Sequence, residues 1–123
     1  MNAAPPIAAW LGFSCEREGE ERRYRLAFNE THIGNPAIRA LHGGVIAAFL
    51  ELAMETALRA EGRVPEATVN VTIDYLASSR PEDMTAQVRA IRIGRRLAFL
   101  EAEGRQSDGS RLVAVARACL KLA

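Results

Sequence analysis

The hydrophobic positions of this chain fall into two regimes. From Leu41 to Ala60 they are nearly continuous, and from Ala67 onward they mostly alternate with polar ones. The continuous stretch runs Val45-Ile46-Ala47-Ala48-Phe49-Leu50, meets Glu51, and resumes with Leu52-Ala53-Met54. Its Ala, Leu, Met and Glu content favours helix, and Gly43-Gly44 and Gly62 bracket it. A helix from Gly43 to about Ala60 is predicted. It is apolar nearly all round through its first half, so it is expected to be buried on most sides. In the second regime, Val69, Val71, Ile73 and Tyr75 alternate with Asn70, Thr72 and Asp74, which predicts a half-buried strand over Ala67–Tyr75. Met84–Ile93, Arg96–Gln106 and Arg111–Leu122 read as three more strands. Ser78-Ser79-Arg80-Pro81 is a loop, and Gly94 and Asp108-Gly109 supply turns, the latter a strong hairpin signal.

Ahead of the helix the signal is weaker. The first six to eight residues read as a loose terminus. Trp10-Leu11-Gly12-Phe13 through Arg17 predicts a first strand, Glu18-Gly19-Glu20 a turn, and Arg22–Phe28 a second, alternating strand. Asn29–Pro36 reads as loop, with His32 a loop residue. The sum is ββ-α-ββββ, an α+β chain with one long helix and about six antiparallel strands. The simplest way to bury such a helix is a curved sheet wrapped around it. The 123 residues suffice for one such domain, spanning residues 1–123.

Composition narrows the function classes. A formal net charge of +1 gives no bulk electrostatic case for nucleic acid or an anionic membrane as partner. Glu51, Glu55 and Arg59 interrupt the apolar run, which argues against a membrane span. Cys15 and Cys119 lack motif spacing and read as reduced core residues of a cytoplasmic protein. Two histidines without a cysteine cluster predict no metal site.

Glu51 stands out against this background. A carboxylate inside an apolar helix costs several kcal/mol unless something pairs with it (roughly 3–5 when its partner is removed). Its upstream counterpart is His42, in His42-Gly43-Gly44. Nine residues separate the two, about 13.5 Å along an ideal helix and on roughly opposite faces. One chain cannot bring both to a single reacting atom. Two antiparallel copies of the helix can, so a shared role requires at least a two-fold dimer. Glu55, one turn beyond Glu51, is expected either to line the same pocket or to pair with Arg59.

The stretch Gly34-Asn35-Pro36 through Leu41-His42-Gly43-Gly44 to Glu51 resembles the acyl-CoA thioesterases of the hotdog superfamily, in particular the PaaI-like group. There an HGG turn is followed, nine residues after the His, by an Asp or Glu. The likeness continues in Asn70-Val71-Thr72-Ile73-Asp74-Tyr75-Leu76, Gly94-Arg95-Arg96-Leu97-Ala98 and Asp108-Gly109, from about Leu11 to Leu122. It implies hydrolysis of an acyl-CoA or aryl-acyl-CoA to free acid and CoA, with no cofactor beyond the CoA of the substrate. It also implies a dimer that forms the site, commonly as a dimer of dimers.

The resemblance further implies residue roles. Gly43 N–H would polarise the thioester carbonyl, with Gly44 in the same turn. Glu51 of the facing chain would activate water as a general base or attack the carbonyl directly. His42 would position the turn. Asn35 is similar to an upstream Asn or Gln that holds water or substrate, but it stands seven residues before His42, where the relatives use six and this chain has Pro36. Relatives with a Ser two places after the Tyr are met here by Ala77, with Ser78 next to it as a substitute. Arg80, Arg95 and Arg96 are candidates for the CoA phosphates, which need cationic donors; a solvated turn is the other reading of the arginine pair. Rival readings are an acyl-CoA-binding hotdog protein without catalysis, an acyl-CoA hydratase or dehydratase on the same fold, and a thioesterase acting on acyl-carrier-protein.

Overall fold

The computed structural model describes residues 5–123, apart from the side chain of Glu18. In chain order the elements are α1 (Pro6–Leu11), β1 (Phe13–Glu18), β2 (Glu21–Leu26), a 3-10 turn (Glu30–His32), β3 (Ile33–Asn35), β4 (Ala40–Leu41), α2 (Gly43–Ala60), β5 (Pro65–Tyr75), β6 (Met84–Ile93), β7 (Leu97–Gln106) and β8 (Arg111–Leu122). The six long strands form one antiparallel sheet in the order β1-β2-β6-β7-β8-β5, and β3 and β4 form a separate two-stranded pair. Helix α2 packs on this sheet, as the hydrophobic pattern predicts.

The core lies between α2 and the sheet. Phe49, Leu50, Ala53, Met54 and Leu58 of the helix are sealed against Leu26, Met84, Leu100, Ala114 and Leu120. Gly104 permits the close approach, because a Cβ there would sit 3.1 Å from Met84 Sδ and 3.3 Å from Leu50 Cδ2. The inward positions of β7 are Ala98, Leu100, Ala102 and Gly104, all buried, so small residues let the helix lie close to the sheet.

One face of α2 is left uncovered. Gly44 and Arg59 are exposed, and Ala47, Ala48, Glu51, Glu55 and Thr56 are half-buried. The helix is therefore buried on three sides, and Glu51 belongs to the fourth rather than to the core.

The N-terminal part departs from expectation in four places. Residues 1–4 of the predicted loose terminus lie outside the described residues, and the rest is not loose, because a helix starts at Pro6. Proline at the first helical position has its φ already set and loses no hydrogen bond. That helix takes in Trp10 and Leu11, so β1 begins only at Phe13, after Gly12 ends the helix in the left-handed conformation at φ 64°. The supposed loop Asn29–Pro36 holds a 3-10 turn and β3. His32 is fully buried: its Nε2 lies 2.9 Å from Trp10 O and its Nδ1 accepts the Asn29 N–H at 3.1 Å. Finally, Cys119 is buried but Cys15 is exposed, not a core residue.

Candidate active site

Two glycines at the start of a helix are a weak beginning, since glycine resists helical order and the first N–H groups have no partners. The chain compensates from several directions. His42 is the N-cap, with φ −62° and ψ 134°, and its Nδ1 accepts the Gly44 N–H at 2.9 Å. A neutral His42 ring therefore carries its proton on Nε2. The His42 N–H donates to His32 O at 2.8 Å. Gly34 makes this approach possible, because a Cβ there would fall 2.8 Å from His42 Cα and 2.9 Å from His42 Cβ. The Val45 and Ile46 N–H groups both reach His42 O, at 2.9 and 3.2 Å. Among the described residues the Gly43 N–H is left without a partner.

That N–H lies at the positive end of an 18-residue helix. Gly43 also lines an open cleft of about 470 Å³, together with Ala40, Leu41, Ile46 and the segment Tyr75-Leu76-Ala77-Ser78-Ser79. Buried Ser79 ties that segment to β4, since its Oγ accepts the Leu41 N–H at 2.8 Å. The Tyr75 hydroxyl donates to Gly43 O at 2.7 Å. The sequence motif includes Gly34 and Tyr75 without a role for either, and Ser79 reads there only as a loop residue. The turn glycine at Gly34 was legible as a turn but not as a contact with His42, which lies eight residues on.

Glu51 sits two turns into α2, about 12 Å along the axis from Gly43. It is half-buried, and Thr68 Oγ1 of β5 donates to its Oε2 at 3.4 Å. Within one chain it reaches neither His42 nor the cleft, as the spacing argument requires. Glu55 shares the open face. Among the described residues no ion pair joins it to Arg59, contrary to that expectation; Arg59 attracts it only at a distance. Burial pushes the Glu55 carboxyl above the usual carboxylate range, the negative charge of Glu51 pushes it further, and Arg59 opposes both.

The remaining candidates divide. Ser78 lines the cleft, and its carbonyl accepts from Arg111 Nη1. Asn35 is exposed on β3 and its Oδ1 accepts the Ala37 N–H at 3.0 Å, a local turn contact outside the cleft lining. Arg80 is exposed in the loop after the cleft segment, its backbone fixed by buried Gln106 at 2.8 and 2.9 Å. Arg95 and Arg96 are exposed at the opposite end of the molecule. There Arg63 Nη2 donates to Arg95 O at 3.1 Å and the Leu122 N–H to Arg96 O at 2.8 Å, beside the C-terminal end of α2. A helix of 18 residues is about 27 Å long, so a single chain does not gather the three arginines around one ligand.

A larger cavity of about 630 Å³ opens where β2 leaves β6 after three paired residues. It is lined by Tyr24, Leu58, Val88 and Leu100 and edged by Glu20, Glu21, Glu61 and Glu103. No candidate residue borders it, and it offers no helix N-terminus, so the smaller cleft at Gly43 is the better reaction site. Among the described residues no group of His, Cys, Asp and Glu is placed to hold a metal ion, and no helix is long and apolar enough to cross a membrane.

A long helix on a six-stranded antiparallel sheet, opening at an HGG turn, defines the hotdog class of α+β proteins. Residues 39–113 match the family model of the thioesterase superfamily, and the chain belongs to that family. A solved member of the superfamily is 31% identical, with a TM-score of 0.88 over 97% of this chain and 90% of the other. Two more distant structures share the fold. One is a phenylacetic acid degradation-related protein from Ralstonia eutropha JMP134, 21% identical, TM-score 0.84, covering 98% and 92%. The other is a Bacillus halodurans protein solved with CoA, 20% identical, TM-score 0.86, covering 100% and 82%. Among curated proteins no match was found.

Proposed function

We propose that the protein hydrolyses an acyl-CoA thioester to the free acid and CoA, in a site shared between two copies of the chain. The observation that carries this reading is the unpartnered Gly43 N–H at the start of α2, at the mouth of a cleft. As water adds to the thioester carbon, negative charge collects on the carbonyl oxygen. A fixed backbone donor and the helix dipole stabilise that charge, and a single such donor is commonly worth about 3–4 kcal/mol. The C–S bond then breaks, and CoA leaves as the thiolate and takes up a proton. Glu51 of the second copy supplies the carboxylate, either taking the proton from the water that adds, or attacking the carbon itself to expel CoA and leave a mixed anhydride that water then hydrolyses to the free acid.

Two features support the shared site. Strand β5 ends the sheet order with 11 residues and an open edge on which Val69 is 58% exposed, the kind of edge that pairs with another chain. Two β5 edges paired antiparallel bring two α2 helices side by side through their small residues at Gly44, Ala47 and Ala48. With Gly43 opposite Glu51, the far end of the second helix extends about 13 Å beyond Gly43. The Arg95-Arg96 turn of the second copy then lies on the same side as Arg80 of the first. Charges that are scattered in one chain converge in the pair, where they suit the phosphates of CoA. CoA in the Bacillus halodurans protein makes this ligand the first to test. A dimer of dimers is the expected assembly.

The test is thiol release from a panel of short, long and aromatic acyl-CoAs and from acyl-carrier-protein thioesters, using the wild type and Glu51→Gln. Turnover of CoA substrates, with a loss of about 100-fold or more in the variant, is expected. Near-wild-type turnover by Glu51→Gln refutes the role of Glu51. Tight acyl-CoA binding without thiol release by the wild type refutes hydrolysis altogether.

A further inference from the structure

We propose that Thr68 is the positioning residue of the Glu51 carboxylate, delivered to it by a β-bulge at Val69: its hydroxyl holds one carboxylate oxygen and leaves the other for the reaction. The inference rests on the reading of Glu51 as the carboxylate of the reaction.

Strand β5 pairs with β8 along its whole length. Its inward row is Val71, Ile73 and Tyr75, set opposite the buried alanines Ala118, Ala116 and Ala114. Strict alternation would carry that row back to Val69, opposite Leu120, the next buried residue of β8. The register shifts instead. Leu120 is met by Thr68 and Cys119 by Asn70, so Val69 is one residue in excess. Val69 is accordingly 58% exposed, and Thr68 takes the inward place, half-buried. A shift of one residue exchanges the two faces of a strand. Here it replaces the methyl groups of a valine by a hydroxyl, at the point where β5 passes Glu51. Thr68 Oγ1 donates to Glu51 Oε2 at 3.4 Å.

The other polar groups on this part of α2 do not take that role. The Thr56 hydroxyl donates to Leu52 O at 2.7 Å, within the helix. Among the described residues no hydrogen bond reaches Glu55, and its like charge repels Glu51. Of the two carboxylates on the open face, Glu51 is the one held in a direction. At 3.4 Å the contact orients Glu51 more than it stabilises it. When a second chain covers the face, water ceases to compete for the carboxylate, and the hydroxyl becomes the donor that Glu51's own chain provides. With Oε2 engaged, Oε1 is the oxygen left to take the proton from water or to attack the carbon. Thr68 thus acts through Glu51 and not on the substrate.

The experiment compares Thr68→Val, Thr68→Ser, Glu51→Gln and the double variant of Thr68→Val with Glu51→Gln against wild type, by thiol release from a thioester the wild type turns over. Thr68→Val keeps the branched shape and the strand preference and removes only the hydroxyl. The expected result is a fall of about tenfold in kcat with KM within about threefold, because orientation of the carboxylate counts in the transition state. Thr68→Ser keeps the hydroxyl and should hold kcat within about threefold of wild type. In the Glu51→Gln background, which has no carboxylate to orient, Thr68→Val should change kcat by less than about twofold. Four results overturn the proposal: an unchanged kcat in Thr68→Val, an effect confined to KM, equal effects in both backgrounds, or Thr68→Ser as slow as Thr68→Val. If Glu51→Gln itself keeps wild-type kcat, the role of Glu51 fails and that of Thr68 with it. Loss of activity in Glu51→Gln beside an unaffected Thr68→Val sinks the Thr68 inference alone. Should Thr68→Val fold poorly, Thr68→Ala, which also lacks the hydroxyl, makes the same comparison.

Discussion

Replacing Gly43 with proline separates the chemistry of the helix start from its stability. In most helix positions proline costs about 3 kcal/mol, because it removes a hydrogen bond and clashes with the preceding turn. Gly43 is the first residue of α2, where neither cost applies. Its N–H has no partner among the described residues, so no hydrogen bond is lost. The residue before a proline must be extended, and His42 already is, at φ −62° and ψ 134°. A Cβ at Gly43 meets nothing closer than 3.4 Å. Fixing φ in the unfolded chain then gives a gain of about 0.4–1 kcal/mol. For a domain of this size that is an unchanged Tm or a rise of a few degrees. The catalytic effect is opposite in sign: loss of one oxyanion donor lowers kcat by about 100- to 1,000-fold. The assay is thiol release under saturating acyl-CoA, with thermal unfolding of the same samples. A kcat within threefold of wild type refutes the donor role. A Tm lowered by ten degrees refutes the claim that the helix start makes no use of that N–H. Gly44→Pro is the contrasting control, because the Gly44 N–H is bonded to His42 Nδ1 and the variant must lose the cap.

Two other substitutions test the supports of the site. Gly34→Ala puts a methyl group 2.8–2.9 Å from the His42 backbone and Cβ, so it should destabilise by about 1–3 kcal/mol and also lower kcat, measured by denaturant unfolding and thiol release. For Glu55→Gln the sign follows from the raised carboxyl: the folded state favours its protonated form, so Glu55 favours folding below the ordinary value of 4.5 and that advantage fades as pH rises through its shifted value. The variant, which cannot ionise, is expected to gain stability over wild type near neutral pH and to match it below about pH 4. A gain at acid pH that disappears at neutral pH contradicts this assignment.

The central helix and the four strands after it were legible because their patterns are long. Eighteen residues with a near-continuous apolar run, bracketed by glycines, admit little besides a buried helix. The strands from β5 to β8 alternate over ten or more residues each, and their ends fall within two residues of expectation. The region before the helix was harder to read for a physical reason. Its elements have two to six residues, too few for a period to show, and their stability comes from contacts distant in sequence. Helix α1 exists because Leu11 is fully buried and because Trp10 O bonds to His32, and neither contact is visible around residue 10. Site residues followed the same rule. Glu51, His42 and Gly43 announce themselves through spacing along one element. Tyr75, Thr68, Ser79 and Gly34 belong to the site only because folding brings β5, the following loop and β3 against the start and flank of α2.

The placement of Glu51 on the uncovered face changes the energetic question that the sequence posed. A carboxylate sealed inside the core would need a strong partner, and among the described residues Thr68 offers only one hydroxyl at 3.4 Å. On the open face no such partner is required while the face stays wet. The cost arises only when something covers that face, whether a second α2 or an acyl chain. Desolvation then falls on two carboxylates one turn apart, and Glu55 already shows the effect of partial burial beside a like charge. Association therefore turns a tolerated surface acid into a destabilised one, and a desolvated carboxylate is a stronger base. In the shared-site reading, the step that brings Glu51 to the Gly43 of the other chain is also the step that activates it. A lone chain would hold both groups in place and lack the chemistry. Hence activity should fall with dilution below the dimer dissociation constant, more steeply than the protein concentration itself.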